Sequence, residues 1–256
     1  MKERYNILDW LRAIALINMI AYHLMWDLVY MYNVKIPFMR SESGYIYQQA
    51  ICWTFIFLSG FCWNLSRNNL KRGLIVTVGS IIITVVTLIA MPQNRVIFGV
   101  LTLIGSSMLL MIPLDKLFQL LMKRSSLTIR IIFYSFGLIL SFGLFLVFKQ
   151  VNYGFIKIFD NVINLPESLY KNYLTSFIGF MHPDFFSTDY FSILPWFFLF
   201  STGYFVFQFF KEFNLLRFLK GPKIVPLEFV GRNSLLIYMA HQPIVYAICE
   251  IIFSIF

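Results

Sequence analysis

The sequence predicts an all-α integral membrane protein, a bundle of about seven transmembrane helices, and three observations carry that prediction. Of 256 residues, 59% are hydrophobic and only 13% are charged, whereas a soluble domain has about 45–50% apolar and about 25% charged residues. The mean hydropathy is +0.74. The apolar residues also gather into runs near the length of about 20 that a helix needs to cross a bilayer. These runs are 6–30, 45–65, 73–91, 96–114, 128–148, 190–210 and 233–255. They lack the alternation of barrel strands, and a helix satisfies its own backbone hydrogen bonds in lipid. Such a composition excludes a disordered chain, a cytosolic enzyme and a nucleic-acid-binding domain.

The first run carries Asp9, Arg12 and Asp27 and no small-residue cleavage site. It is expected to stay in the mature chain. The connections from the N-terminus onward then alternate in charge. One side holds Lys2, Arg4, Arg67, Lys71, Arg72, Lys116, Lys123, Arg124, Lys211, Arg217, Lys220, Lys223 and Arg232. The other holds Lys35, Arg40, Arg95, Lys149, Lys157 and Lys171. Basic residues concentrate in the cytoplasm, so the N-terminus is expected inside and the C-terminus outside, in the cell membrane. The net charge of +9 reads as attraction to anionic lipid, with no nucleic-acid partner.

The long outer loop, 149–189, is too long to be structureless. Its apolar part, 173–186, is short for a span and interrupted by Pro183, which reads as an interfacial or re-entrant segment. If it crosses, the spans number eight and the C-terminus turns cytoplasmic. Trp26, Trp53, Trp63 and Trp196 lie near span ends and read as interfacial anchors. Cys52, Cys62 and Cys249 sit in apolar stretches and read as small core residues; no Cys/His spacing suits a metal. One domain, 1–256, is the simplest division. A second copy of the chain is kept as a candidate partner.

The first span holds the chemistry. At about 100° per residue, Asp9, Arg12, His23 and Asp27 share one arc of roughly 60°. Lipid does not tolerate such an arc, so it must face protein or water. Asp9–Arg12 and His23–Asp27 have i,i+3 and i,i+4 spacings, which suit helix-internal pairs. The second also suits a general base, with the Asp27 carboxylate fixing the imidazole tautomer. Arg12 lies about 16 Å along the axis from His23, nearer the expected cytoplasmic end.

An Arg, ten residues, then a His in a first span resembles the motif of the transmembrane acyltransferase superfamily. More specifically, LDWLRAIALINMIAYHLMWDL is similar to the opening of the bacterial membrane family related to heparan-α-glucosaminide N-acetyltransferase. HPDFFSTDYFSILPWFFLFSTG (182–203) and VGRNSLLIYMAHQPIVY (230–246) resemble two further blocks of it, and FGVLTLIG (98–105) is a weaker echo. The resemblance implies acetyl-CoA or another acyl-CoA as co-substrate and a glycan or amino sugar as acceptor. It also implies that the animal heparan enzyme uses a histidine just before its second span. Residues 41–50, SESGYIYQQA, hold none. Heparan is therefore not carried over, and the catalytic role of His23 rests on the broader superfamily motif.

Other candidates follow. His182, beside Asp184 and Asp189, is a second catalytic histidine or a turn residue, with Asp184 a carboxylate for it or for an amine. Ser234, Tyr238 and His241 share one arc of the last span. They line a tunnel or make polar contacts between helices. Arg232 and Asn233 hold a CoA phosphate where the last helix begins, with Arg12 a further phosphate contact and Asp9 beside it in the donor site, or Arg232 is one more positive-inside residue. The expected activity is transfer of an acetyl or other short acyl group from cytoplasmic acyl-CoA to a sugar hydroxyl or amine at the outer face. Its rivals are a proton-coupled transporter or channel and a non-catalytic assembly subunit. The transporter predicts internal repeats and matching broken helices, and the sequence has neither.

Overall fold

The computed structural model describes residues 5–255, so Lys2 and Arg4 of the charge count lie outside the described residues. Its long helices are α1 (Asn6–Tyr30), α2 (Glu42–Trp63), α3 (Asn69–Ala90), α4 (Val100–Met122) and α5 (Leu127–Phe148). A small antiparallel hairpin, β1 (Phe155–Ile158) and β2 (Asn161–Asn164), pairs Phe155 with Asn164. Then come short α6 (Tyr173–Ile178), long α7 (Ile193–Glu212), short α8 (Val225–Arg232) and long α9 (Ser234–Ile255). The fold is an all-α membrane protein with little sheet.

Among the described residues, six helices are long and apolar enough to cross a membrane: α1, α3, α4, α5, α7 and α9. The expected second span is a helix, α2, but its first turns read ESGYIYQQ. That polar start separates it from the other six. The eighth crossing is not formed. Around 173–186 the helix is six residues, α6, ended at Gly179 with φ 141°, a conformation that favours glycine. Six residues rise about 9 Å, far short of a bilayer. The loop instead carries the hairpin, α6 and short 3-10 turns.

The chain forms two compact units. In the first, residues 1–58 and 215–256, α1 packs against α8 and α9. A Cβ on Gly231 of α8 would stand 2.2 Å from the Asp9 carbonyl oxygen, so α8 lies on the α1 backbone only because residue 231 is glycine. Asn6 donates its side-chain amide to the Gly221 carbonyl at 2.8 Å, tying the loop before α8 to the start of α1.

In the second unit, residues 59–214, α3 packs on α4 and α5 on α7. Asn68 caps α3 by accepting the Lys71 N–H at 2.8 Å, and Ser126 caps α5 through Ile129. The outward side of α3 exposes Leu74, Val78, Ile81, Val85 and Ile89, an apolar stripe with helical spacing suited to lipid. Trp63 is not an interfacial anchor. It is buried and donates its indole N–H to the Met108 carbonyl at 3.0 Å. Helix α4 runs past the expected end at 114 with Pro113 inside it, so Lys116 lies on the helix and not in a loop.

Candidate active site

The first unit brings α1 and α9 together around four polar side chains. His23 of α1 faces His241 of α9, with ring centroids 5.0 Å apart and planes at 53°. His241 Nδ1 hydrogen-bonds the Tyr238 carbonyl one turn earlier. The Tyr238 ring packs 5.3 Å from the His241 ring and stacks on Phe55 of α2. Ser234, four residues before Tyr238, opens the same helix.

Asp27 is fully buried. Gln242 Nε2 donates to its two carboxyl oxygens at 2.9 and 3.1 Å. This corrects the expected His23–Asp27 pair: among the described residues no hydrogen bond joins them. A buried carboxyl group needs donors, and the Gln242 amide reaches both oxygens, which one imidazole N–H would not do. Sequence reasoning quoted Gln242 and gave it no role. Its signal was its place beside His241, but the partner became visible only once α1 and α9 were paired. His241 Nε2 and Gln242 Oε1 are buried acceptors with no hydrogen-bond partner among the described residues. An unpartnered amide oxygen such as Gln242 Oε1 suits a ligand that brings an O–H or N–H donor.

At the N-terminal end of α1, Arg12 forms an ion pair with Asp9 at 3.2 Å, the helix-internal alternative read from the spacing. Arg232 pairs with buried Glu228, four residues before it on α8. Sequence reasoning missed Glu228, although its i,i+4 spacing to Arg232 was visible. Arg232 does not stand at the beginning of the last helix: it ends α8, and α9 starts at Ser234. Asn233 caps α8 and donates its side-chain amide to the Phe229 carbonyl at 2.9 Å, while its own carbonyl receives the Ile237 N–H of α9. Close approach of α8 to Asp9 thus puts the elements carrying Arg12 and Arg232 side by side.

His182 and Asp184 lie in the second unit and build a turn. His182 Nδ1 accepts the Asp184 N–H at 3.2 Å, and the His182 N–H goes to Ser176 Oγ at 2.9 Å. A neutral ring whose Nδ1 accepts carries its proton on Nε2, which removes the outward lone pair a base would use. The Asp184 side chain is 89% exposed and 3.9 Å from the ring. Asp189 does not join them. Its carboxylate accepts the Val100 N–H at 3.1 Å, capping α4 from another segment. Ser187 Oγ takes the Ile97 N–H, the Phe191 N–H goes to the Phe98 carbonyl, and Phe98 stacks on Phe185 at 5.6 Å. The HPDFFSTDYF block and the FGVL echo are therefore two halves of one structural clasp. Burial pushes the Asp189 carboxyl up to about 6 against the opposing pull of the Val100 amide.

Among the described residues no cluster of His, Cys, Asp and Glu suits a metal ion. No curated protein and no solved structure matches the chain. The family model described as heparan-alpha-glucosaminide N-acetyltransferase, catalytic, matches residues 4–243. That range holds both histidines of the α1–α9 core, the Asp27–Gln242 pair and the two arginine ion pairs, and on this match the chain belongs to the heparan-alpha-glucosaminide N-acetyltransferase catalytic family.

Proposed function

We propose that this membrane acetyltransferase-family chain moves an acetyl or other short acyl group from cytoplasmic acyl-CoA to a sugar hydroxyl or amine at the outer face of the cell membrane. The observation that carries the reading is the buried polar core of the first unit. His23 sits there on a helix able to span the bilayer, facing His241 of α9, whose neighbour Gln242 carries an unfilled acceptor oxygen. Intramembrane ionisable residues mark function, because lipid penalises them. A hydroxyl or amine is the group that fills such an acceptor and gives up a proton.

His23 takes the proton as the acceptor oxygen or nitrogen attacks the thioester carbonyl. The carbon–sulfur bond breaks, and the CoA thiolate leaves and is protonated. Arg12 and Arg232 hold the donor phosphates, which then compete with Asp9 and Glu228 for the two guanidinium groups. The whole chain acts as one catalytic domain, with its N-terminus inside.

Purified protein in lipid nanodiscs, given acetyl-CoA and a panel of amino sugars and surface glycans, tests this. Thioester consumption that depends on one acceptor class supports it. No consumption with any donor or acceptor, from protein shown to be folded, overturns it.

A further inference from the structure

The two histidines of the α1–α9 core differ in what holds them. His241 Nδ1 lies on the Tyr238 carbonyl. A carbonyl only accepts, so Nδ1 carries the proton and the neutral ring keeps its lone pair on Nε2. His241 is only 8% exposed, and Nε2 is buried with no hydrogen-bond partner among the described residues. Such an acceptor calls for a donor. The ring facing it is His23, at 5.0 Å between centroids. Each ring nitrogen stands more than an ångström out from its centroid. Two nitrogens turned toward each other across this gap stand about 2.8 Å apart, a hydrogen-bond length. His23 makes no other hydrogen bond among the described residues, and Asp27 is engaged by Gln242.

We propose that His241 is the positioning residue for His23. His23 donates its ring N–H to His241 Nε2, which leaves the other His23 nitrogen unprotonated and turned toward the acyl acceptor. This rests on the acyltransferase reading and gives to His241 the part that the spacing had suggested for Asp27. When the acceptor gives its proton to His23, the His23 N–H proton passes to His241 Nε2. His241 is then the imidazolium, held by the Tyr238 carbonyl, and His23 is neutral. The CoA thiolate leaves as the acyl–acceptor bond forms. The proton returns from His241 through His23 to the thiolate, so the reaction ends with a free thiol and both rings as they began.

Two measurements on full-length protein in nanodiscs test the pair. The first is nitrogen NMR of ¹⁵N-histidine-labelled protein, with the three histidines assigned by substitution. The His241 Nε2 resonance should show a hydrogen-bonded acceptor and revert to a free one in His23→Ala. A His241 resonance unmoved by His23→Ala overturns the proposal. The second is steady-state kinetics. His241→Ala should lower kcat at least about tenfold with KM for acetyl-CoA within about twofold. His241→Gln should recover part of the loss, because its side-chain carbonyl accepts the His23 N–H although it does not take up a proton. A raised KM with unchanged kcat, or wild-type turnover in both variants, overturns the proposal. Should wild-type protein consume no thioester, the acyltransferase reading falls, and the NMR comparison still decides the pair.

Discussion

At the scale of single residues, spacing on α1 located the charged arc but not its partners. Helical periodicity states which side chains share a face. It does not state which atom from another helix will meet them. Asp27 shows the difference. Its nearest histidine in sequence is His23, yet its hydrogen bonds go to Gln242, 215 positions away. Asp27→Asn is therefore expected to change turnover little, because an amide oxygen still accepts from Gln242. Asp27→Ala should cost about 1–3 kcal/mol of stability by stranding the buried Gln242 amide. Thermal unfolding of the two variants separates these effects. A severe activity loss in a fully stable Asp27→Asn would restore the direct His23–Asp27 pairing. Arg12 was legible as a cation within an apolar run, and its Asp9 pairing followed from the i,i+3 spacing. Arg12→Ala should weaken acetyl-CoA binding, and Arg12→Lys should restore it only in part, since an ammonium lacks the planar fork. Calorimetry giving unchanged affinity in both variants would remove Arg12 from the donor site.

At the scale of elements, the long helices were legible because a bilayer-length apolar run has few other solutions. Their ends were less so. The expected span ended at 114 and left Lys116 in a loop, yet α4 continues to Met122. The 182–203 block offered His182 as a catalytic histidine or a turn residue, and the structure makes its first part a turn and a clasp on the start of α4. Asp189 makes that clasp testable. A carboxyl whose folded value is raised, here from 3.8 to about 6, binds more protons folded than unfolded between those values. Its contribution to stability is present at lower pH and lost as pH rises through about 6. Asp189→Asn should remove that part of the pH slope of the melting temperature between about pH 4 and 6 while keeping an acceptor for Val100. Asp189→Ala should cost about 0.5–2 kcal/mol through the lost cap. An Asp189→Asn variant with the wild-type slope would show that the carboxyl does not titrate in this window.

At the scale of the whole molecule, composition alone gave the membrane class, and six helices able to cross a bilayer agree with it. The standing of α2 was hidden by its aromatic content. Its Tyr, Phe and Trp residues fit a membrane boundary as well as a span, and its start is polar. The charge asymmetry of the connecting loops leads us to propose that the N-terminus is inside and the C-terminus outside, with α2 counted as a crossing. Reporter fusions after Lys220 and at the C-terminus should then report opposite sides, the first cytoplasmic. A cytoplasmic C-terminal signal would leave α2 uncounted or reverse the orientation. The central claim concerns what this membrane-embedded core does, and one comparison tests it most directly: acyl transfer and acetyl-CoA affinity of wild-type protein against His23→Ala. General-base catalysis is worth about 10²–10⁴-fold, so His23→Ala should lose at least about a hundredfold in turnover. Donor affinity should be unchanged, because the arginine proposed to hold the donor lies about 16 Å along α1. Near-normal turnover in His23→Ala would contradict the account.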